Sequence, residues 1–134
     1  GQIKNPTPRI RLYEILKTLE FMLPKVVSPL AYVSKCAEIS ESTVIMHGAI
    51  VNTGAKVGVN CIINDKALIE HGVAIGNHCH ISTGAILNGD VEVGECTFVG
   101  SGVVTKNGIK IGKNCIVGAG SVIKHDVSDN EVIM

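Results

Sequence analysis

Residues 55–75 read AKVGVNCIINDKALIEHGVAI, and within them an aliphatic side chain returns at every sixth place: Val57, Ile63, Ile69 and Ile75. Two residues ahead of each stands a small or β-branched one: Ala55, Cys61, Ala67 and Val73. Followed outward, the first series runs from Val33 to Ile123, and only Thr105 among its sixteen positions is not aliphatic. The second runs in step from Ala31 to Ser121. Residues two apart share one face of a strand, so a pair of inward positions followed by a four-residue gap describes a short strand and then a corner. A helix is excluded. Gly58, Gly76, Gly94 and Gly112 recur every 18 residues, so three hexads make one turn of a triangular solenoid whose coils stack at about 4.8 Å. Residues 31–127 give slightly more than five coils. The small inward residues fit where three walls converge, and glycine is expected to supply backbone conformations that a side chain forbids.

The composition agrees with strands. Apolar residues make up 46% of the 134, only four are aromatic, and Val and Ile together number 34. Such a chain is too hydrophobic for disorder and too poor in rings for an ordinary globular core. Twelve basic residues balance twelve acidic ones, so no surplus field exists to hold nucleic acid or an anionic membrane. No apolar run reaches the roughly 20 residues of a membrane helix, and the expectation is a soluble, cytoplasmic protein. Residues 1–30 differ from the rest, holding five of the seven leucines. There, Thr7-Pro8 followed by Leu12, Ile15, Leu16, Leu19, Met22 and Leu23 predicts an amphipathic helix ended by Pro24. The chain thus divides into a helical cap over 1–30 and a solenoid over 31–134, residues 1–28 being alternatively the last strand and helix of a preceding domain.

Cys61, Cys79 and Cys115 occupy the inward small-residue series, one or two coils apart, and read as a buried ladder of small side chains rather than as nucleophiles. No paired cysteine spacing predicts a disulfide. The five histidines, His47, His71, His78, His80 and His125, all lie outside the inward series. They are expected to face solvent or a neighbouring subunit. No H-x4-H pair of the kind used by zinc hydrases on such scaffolds is present, and no metal is expected.

Two segments are more specific than the hexads: Asn64-Asp65-Lys66-Ala67-Leu68-Ile69-Glu70-His71 and His80-Ile81-Ser82-Thr83-Gly84-Ala85. Over residues 26–134 the chain resembles the hexapeptide-repeat acetyltransferases that include sialic acid O-acetyltransferases and N-acetyltransferases of UDP-linked 4-amino sugars. The resemblance implies an all-β, left-handed parallel β-helix, a hand that the spacing itself does not set. It implies acetyl-CoA as co-substrate, His71 as general base with Glu70 beside it, and Asn64 lining the acceptor pocket. It places His80 and Gly89 near the thioester, and Ser101 and Ala119 along the cofactor. Many members carry Asp or Glu directly after the catalytic histidine, where this chain has Gly72, which leaves Glu70 as the nearest carboxylate in sequence.

His71 and His80 are half a coil apart and so occupy different walls. A site using both lies between protomers, and the family is trimeric. Ser82-Thr83-Gly84-Ala85, Gly100-Ser101-Gly102-Val103 and Gly118-Ala119-Gly120-Ser121 stack into a strip nearly bare of side chains, fit for a pantetheine arm or for close packing of subunits. Lys106 and Lys124 read as a solvated face that could also meet phosphates. The expected activity is direct acetyl transfer to a bacterial surface-glycan sugar, the 4-amino group of a UDP-linked sugar first, a sialic acid hydroxyl second. A non-catalytic solenoid and a zinc hydrase are the competing readings. The resemblance also implies that residues 1–30 are what remains of a Rossmann-like nucleotide-sugar domain.

Overall fold

A computed structural model describes residues 4–134. It is a three-walled parallel β-solenoid of about six turns with one helix, α1 (Thr7–Thr18). The chain visits the walls in strict rotation. The first wall stacks β1 (Val26–Val27), β4 (Val44–Ile45), β7 (Ile62–Ile63), β10 (His80–Ile81), β13 (Phe98–Val99), β16 (Ile116–Val117) and β18 (Val132–Ile133). The second stacks β2 (Tyr32–Val33), β5 (Ile50–Val51), β8 (Leu68–Ile69), β11 (Ile86–Leu87), β14 (Val104–Thr105) and β17 (Val122–Ile123). The third stacks β3 (Glu38–Ile39), β6 (Lys56–Val57), β9 (Ala74–Ile75), β12 (Glu92–Val93) and β15 (Lys110–Ile111).

In registers such as Ile45↔Ile63, Ile63↔Ile81 and Ile81↔Val99, each hexad position meets its own kind one full coil away. In each two-residue strand the second residue points in, and from Ile45 to Ile123 these positions are buried. Full burial of each such side chain stabilises by about 1.5–3 kcal/mol. Stacking continues beyond residues 31–127, taking the expected slightly more than five coils to about six, because Val26–Val27 pairs with β4 at the start and Val132–Ile133 with β16 at the end. The final coil is also shorter than the others. Ile133 meets Val117 and Val127 bridges Ile111, both before a full coil is complete, so the hexad phase stops at Ile123 while the stacking continues.

The corners correct one expectation about glycine. A positive φ recurs at every sixth residue from Ser42 to Gly120, with glycine at half of these places and Ser42, Asn60, Lys66, His78, Asp90, Cys96 and Asn114 at the rest. Gly58, Gly76, Gly94 and Gly112 are not among them. Their role is close approach: a Cβ on Gly76 would come within 2.7 Å of Glu95 N, and one on Gly94 within 2.6 Å of Lys113 N. The cysteine ladder has a related cause. Thr43, Cys61, Cys79, Thr97 and Cys115 form one inward corner track, and their Oγ or Sγ donates to the carbonyls of Gly58, Gly76, Gly94, Gly112 and Ser128 at 2.7–3.1 Å. At the other corners the equivalent places are mostly Ala, Val or Ile, whereas this track carries a small side chain with a donor at every coil from Thr43 to Cys115.

Helix α1 stops well before Pro24. Leu19 caps it and Glu20 turns left-handed at φ 61°, with Phe21 N–H reaching back to Leu16 O. Its apolar side does not face the solenoid: Leu12 and Leu19 are about 60% exposed. Instead the stripe Arg9, Tyr13, Lys17 binds it. Arg9 donates to the carbonyls of Asn60 and His78, Tyr13 Oη donates to Glu41, and Lys17 pairs with Glu41 at 3.0 Å. These partners lie along the corner between the third and first walls.

Candidate active site

The residues singled out in the sequence fall into two groups. Asn64, His80, Ser101 and Ala119 line one groove of about 650 Å³ on the first wall, with Met46, Ile62, Ser82, Thr83, Phe98, Gly100, Gly118 and Met134. His80 opens β10 and is buried within the protomer, its ring edge-on to Phe98 at 5.3 Å. Asn64 follows β7, and its Nδ2 lies 3.4 Å from His80 Nε2. Ser101 Oγ and Ser82 Oγ are 3.0 Å apart. Gly102 and Gly120 take φ of 68° and 74° at the edge of this track, and a Cβ on either would meet nothing within 4 Å. The track is open at Ser101, Gly102, Ala119 and Gly120, which are exposed, while Gly100 is buried against the next coil.

Glu70, His71 and Gly89 form the second group, at the corner between the second and third walls. Glu70 follows β8, its N–H bonded to Leu87 O at 3.0 Å. His71 projects from the corner, its side chain 55% exposed. Gly89 is not in the groove; it lies one coil on, against the imidazole, where a Cβ would approach Cε1 and Nε2 to 2.5 Å. The carboxylate at the ring is that of Asp90, whose Oδ1 is 3.9 Å from Nδ1. Sequence reading missed it, although Asp90 is one coil from Gly72.

The one inward position that breaks the aliphatic series lies beside this corner. Elsewhere the residue after an inward aliphatic donates its N–H to the next coil's inward carbonyl, as Glu70 does to Leu87 and Gly100 to Val117. Asn88 N–H instead donates to Thr105 Oγ1 at 3.0 Å, and Asn88 Nδ2 donates to the Thr105 carbonyl at 2.7 Å. The paired register of β11 and β14 is reduced to Ile86↔Val104. A buried hydroxyl at Thr105 therefore resets the backbone that leads into Gly89 and Asp90.

Other titratable groups have structural settings. Burial, then the Arg9 guanidinium, pushes the His78 imidazole below its ordinary value. Hydrogen bonding to Cys61 and burial hold the Cys79 thiol well above the thiol range, so it is a poor nucleophile. Among the described residues no three His, Cys, Asp or Glu side chains cluster as a metal site within one protomer. No helix among them is long and apolar enough to cross a membrane.

The outward positions differ from wall to wall. The second presents Tyr32, Ile50, Leu68, Ile86, Val104 and Val122; the third presents Glu38, Lys56, Ala74, Glu92 and Lys110. The first is mostly apolar, with Val44, Ile62, Phe98 and Ile116, of which Ile62 and Phe98 line the groove.

Repeat, corners and groove define a hexapeptide-repeat protein. Residues 90–125 match the family described as Bacterial transferase hexapeptide (six repeats), and residues 54–88 match Hexapeptide repeat of succinyl-transferase. Both matches are to hexapeptide-repeat families. It is similar to the acetyltransferase domain of PglB from Neisseria gonorrhoeae, with 32% identity over 97% of this chain and a TM-score of 0.95; that structure is also known in complex with acetyl coenzyme A. It is similar to the GDP-perosamine N-acetyltransferase PerB from Caulobacter crescentus, solved with CoA and GDP-perosamine, at 32% identity over 97% of this chain and TM-score 0.94. WeeI from Acinetobacter baumannii shares 25% identity over 98% of the chain, with TM-score 0.92. The chain spans 63% of the PglB and PerB chains and 65% of WeeI. Among curated proteins no sequence matches it.

Proposed function

We propose that the protein is a sugar acetyltransferase that uses acetyl-CoA and acts as a homotrimer with its sites between subunits. The observation that carries this reading is the bare track beside His80: an open, 650 Å³ groove floored by Gly100, Ser101, Gly118 and Ala119, with Asn64 and His80 at one end. It suits an extended thioester arm that bonds to backbone groups, and the likeness to acetyltransferase structures holding CoA supports the same ligand. Acetyl-CoA supplies the activated acetyl group. His71, neutral at its Nε2, takes the proton from the attacking amine, a role worth about 10²–10⁴ in rate. Glu70 completes the pocket wall, Gly89 seats the ring, and Asn64 meets the acceptor.

His71 and His80 belong to different walls, so the reaction centre needs a second protomer. The outer faces support three. In a closed ring of three prisms each chain uses two walls, which here are apolar, and turns its third, charged wall to water. The acceptor is read as a nucleotide-linked amino sugar acetylated on nitrogen, the acceptor class of the GDP-perosamine N-acetyltransferase. Residues 1–30 are read as the junction with an acceptor-binding domain, for which the exposed Leu12 and Ile15 of α1, with Leu19 and Met22 just beyond it, offer an apolar surface. A cytoplasmic location follows from dependence on acetyl-CoA.

The test is acetyl transfer from acetyl-CoA to a UDP-linked 4-amino sugar, with sialic acid as the rival acceptor. His71→Ala should lower turnover by about 10²–10⁴ with oligomeric size unchanged. Turnover by that variant near the parent rate would refute the base assignment, and acetylation of sialic acid alone would replace amine chemistry with hydroxyl chemistry.

A further inference from the structure

The corner that carries His71 is built from two stacked tracks. One holds Thr53, His71, Gly89 and Asn107; beside it the left-handed positions are Gly54, Gly72, Asp90 and Gly108. Of these four, Asp90 alone has a side chain. Its φ of 61° is a conformation that glycine takes freely and that aspartate tolerates better than most residues. A glycine here would be the undemanding choice, as on the coils above and below. On this corner the side chain is particular to one coil, and so is its neighbour.

That neighbour is His71. Asp90 N–H donates to His71 O at 2.9 Å, which fixes the two corners in register. The carboxylate then drops toward the preceding coil, and a Cβ built on Gly72 would fall on Asp90 Oδ1. The carboxylate thus fills the volume that Gly72 leaves open, immediately beside the imidazole, with Oδ1 3.9 Å from Nδ1. Gly89 bounds the other side of the ring, and the Asn88–Thr105 clasp sets the backbone entering both residues.

We propose that Asp90 is the positioning residue for His71: its carboxylate accepts a hydrogen bond from Nδ1–H, which keeps the ring proton on Nδ1 and leaves Nε2 unprotonated and aimed at the acceptor. A neutral imidazole donates from one nitrogen and accepts at the other, so a carboxylate at Nδ1 selects the tautomer a base requires. The 3.9 Å separation is within reach of a rotation of the Asp90 side chain, which is 72% exposed and free to turn. Glu70, the sequence neighbour, is not needed for this task. This inference rests on His71 being the base.

Asp90→Gly matches the backbone of its track, and Asp90→Asn keeps the shape while removing the charge. Both are compared with the parent in acetyl transfer from acetyl-CoA to a UDP-linked 4-amino sugar. The expected result is a fall in kcat of about 10- to 100-fold with KM for acetyl-CoA within about twofold. Nitrogen-15 spectra of the His71 ring, which need no acceptor, should show the Nδ1–H tautomer in the parent and a shift toward Nε2–H in Asp90→Gly. Returning a carboxylate from the preceding coil, Gly72→Asp with Asp90→Gly, should recover most of the lost rate. Parent-like kcat in Asp90→Gly, or a fall in kcat with an unchanged ring tautomer, overturns the assignment. Full turnover by His71→Ala would instead remove the base reading on which it stands, so the two failures are distinguishable.

Discussion

On the second wall the outward residues are Tyr32, Ile50, Leu68, Ile86, Val104 and Val122, while on the third they are Glu38, Lys56, Ala74, Glu92 and Lys110. Behind both walls the inward residues are the same kind of aliphatic and similarly buried: Val51, Ile69 and Leu87 on one, Val57, Ile75 and Val93 on the other. The hexad period therefore specifies the prism but is silent about its surroundings. That information sits in the single outward residue of each two-residue strand. Alternate charges on the third wall also meet across coils, as Glu92 and Lys110 do at 3.8 Å, which suits a face left in water. An apolar ladder on a parallel sheet suits a covered face.

The largest effect should come from putting a charge on the apolar ladder. Ile86→Asp, midway along the second wall, is expected to reduce the solution mass to that of one chain, 14.1 kDa, and to abolish acetyl transfer. Glu92→Lys on the third wall should leave both unchanged, because its pair with Lys110 is exposed and worth at most about 1 kcal/mol. Light scattering decides it, and an Ile86→Asp protein of parent mass would break the proposed division between walls. A second test concerns the inside. Leu87→Ala and Ile75→Ala should each cost about 2–5 kcal/mol in denaturant unfolding, since cavity formation depends on burial and not on what the wall faces. A wide gap between the two would mean that assembly contributes to the core of one wall.

Much of this was legible because the period is so regular. The run from Val33 to Ile123 is enough to lay out the strands, the walls and the separation of His71 from His80. What failed to show has physical reasons. The first and last strands escaped because Val26–Val27 is exposed and because the final coil is shorter than the rest, which takes Ile133 out of phase. Glycine carries two different meanings, close stacking at Gly76 and positive φ at Gly72, which the letter alone does not separate. Asp90 was hidden because its partner is distant in sequence: Glu70 is adjacent to His71 in the chain, yet stacking brings in a residue from the following coil. His80 is buried against Phe98 through a contact of the same kind, from one coil to the next. Within a solenoid the informative neighbour is one coil away, and motifs read along the chain miss it.

The contrast between apolar and polar fastening extends to α1, which is held on by hydrogen bonds rather than by its leucines, and this joint should yield to acid. Tyr13 packs edge-on against His78 at 5.6 Å, and Asn60 Nδ2 lies 3.0 Å from His78 Nδ1. Burial and the neighbouring Arg9 hold His78 below its ordinary value of 6.5, so the folded state binds that proton more weakly than the unfolded one. The resulting stability is complete above about 6.5 and is lost as pH falls below it. Glu41, hydrogen-bonded by Lys17 and then Tyr13, is held below the usual 4.5, so its contribution is present above that value and lost on further acidification. Both losses have the same sign. Amide exchange in residues 7–18, corrected for intrinsic rates, should accelerate modestly from pH 7.5 to 5.5 and again toward pH 4, while exchange at Ile63 and Ile81 stays slow. Equal protection of α1 at all three pH values would show that its exposed leucines are covered by something other than water, and that its polar stripe does not carry the attachment.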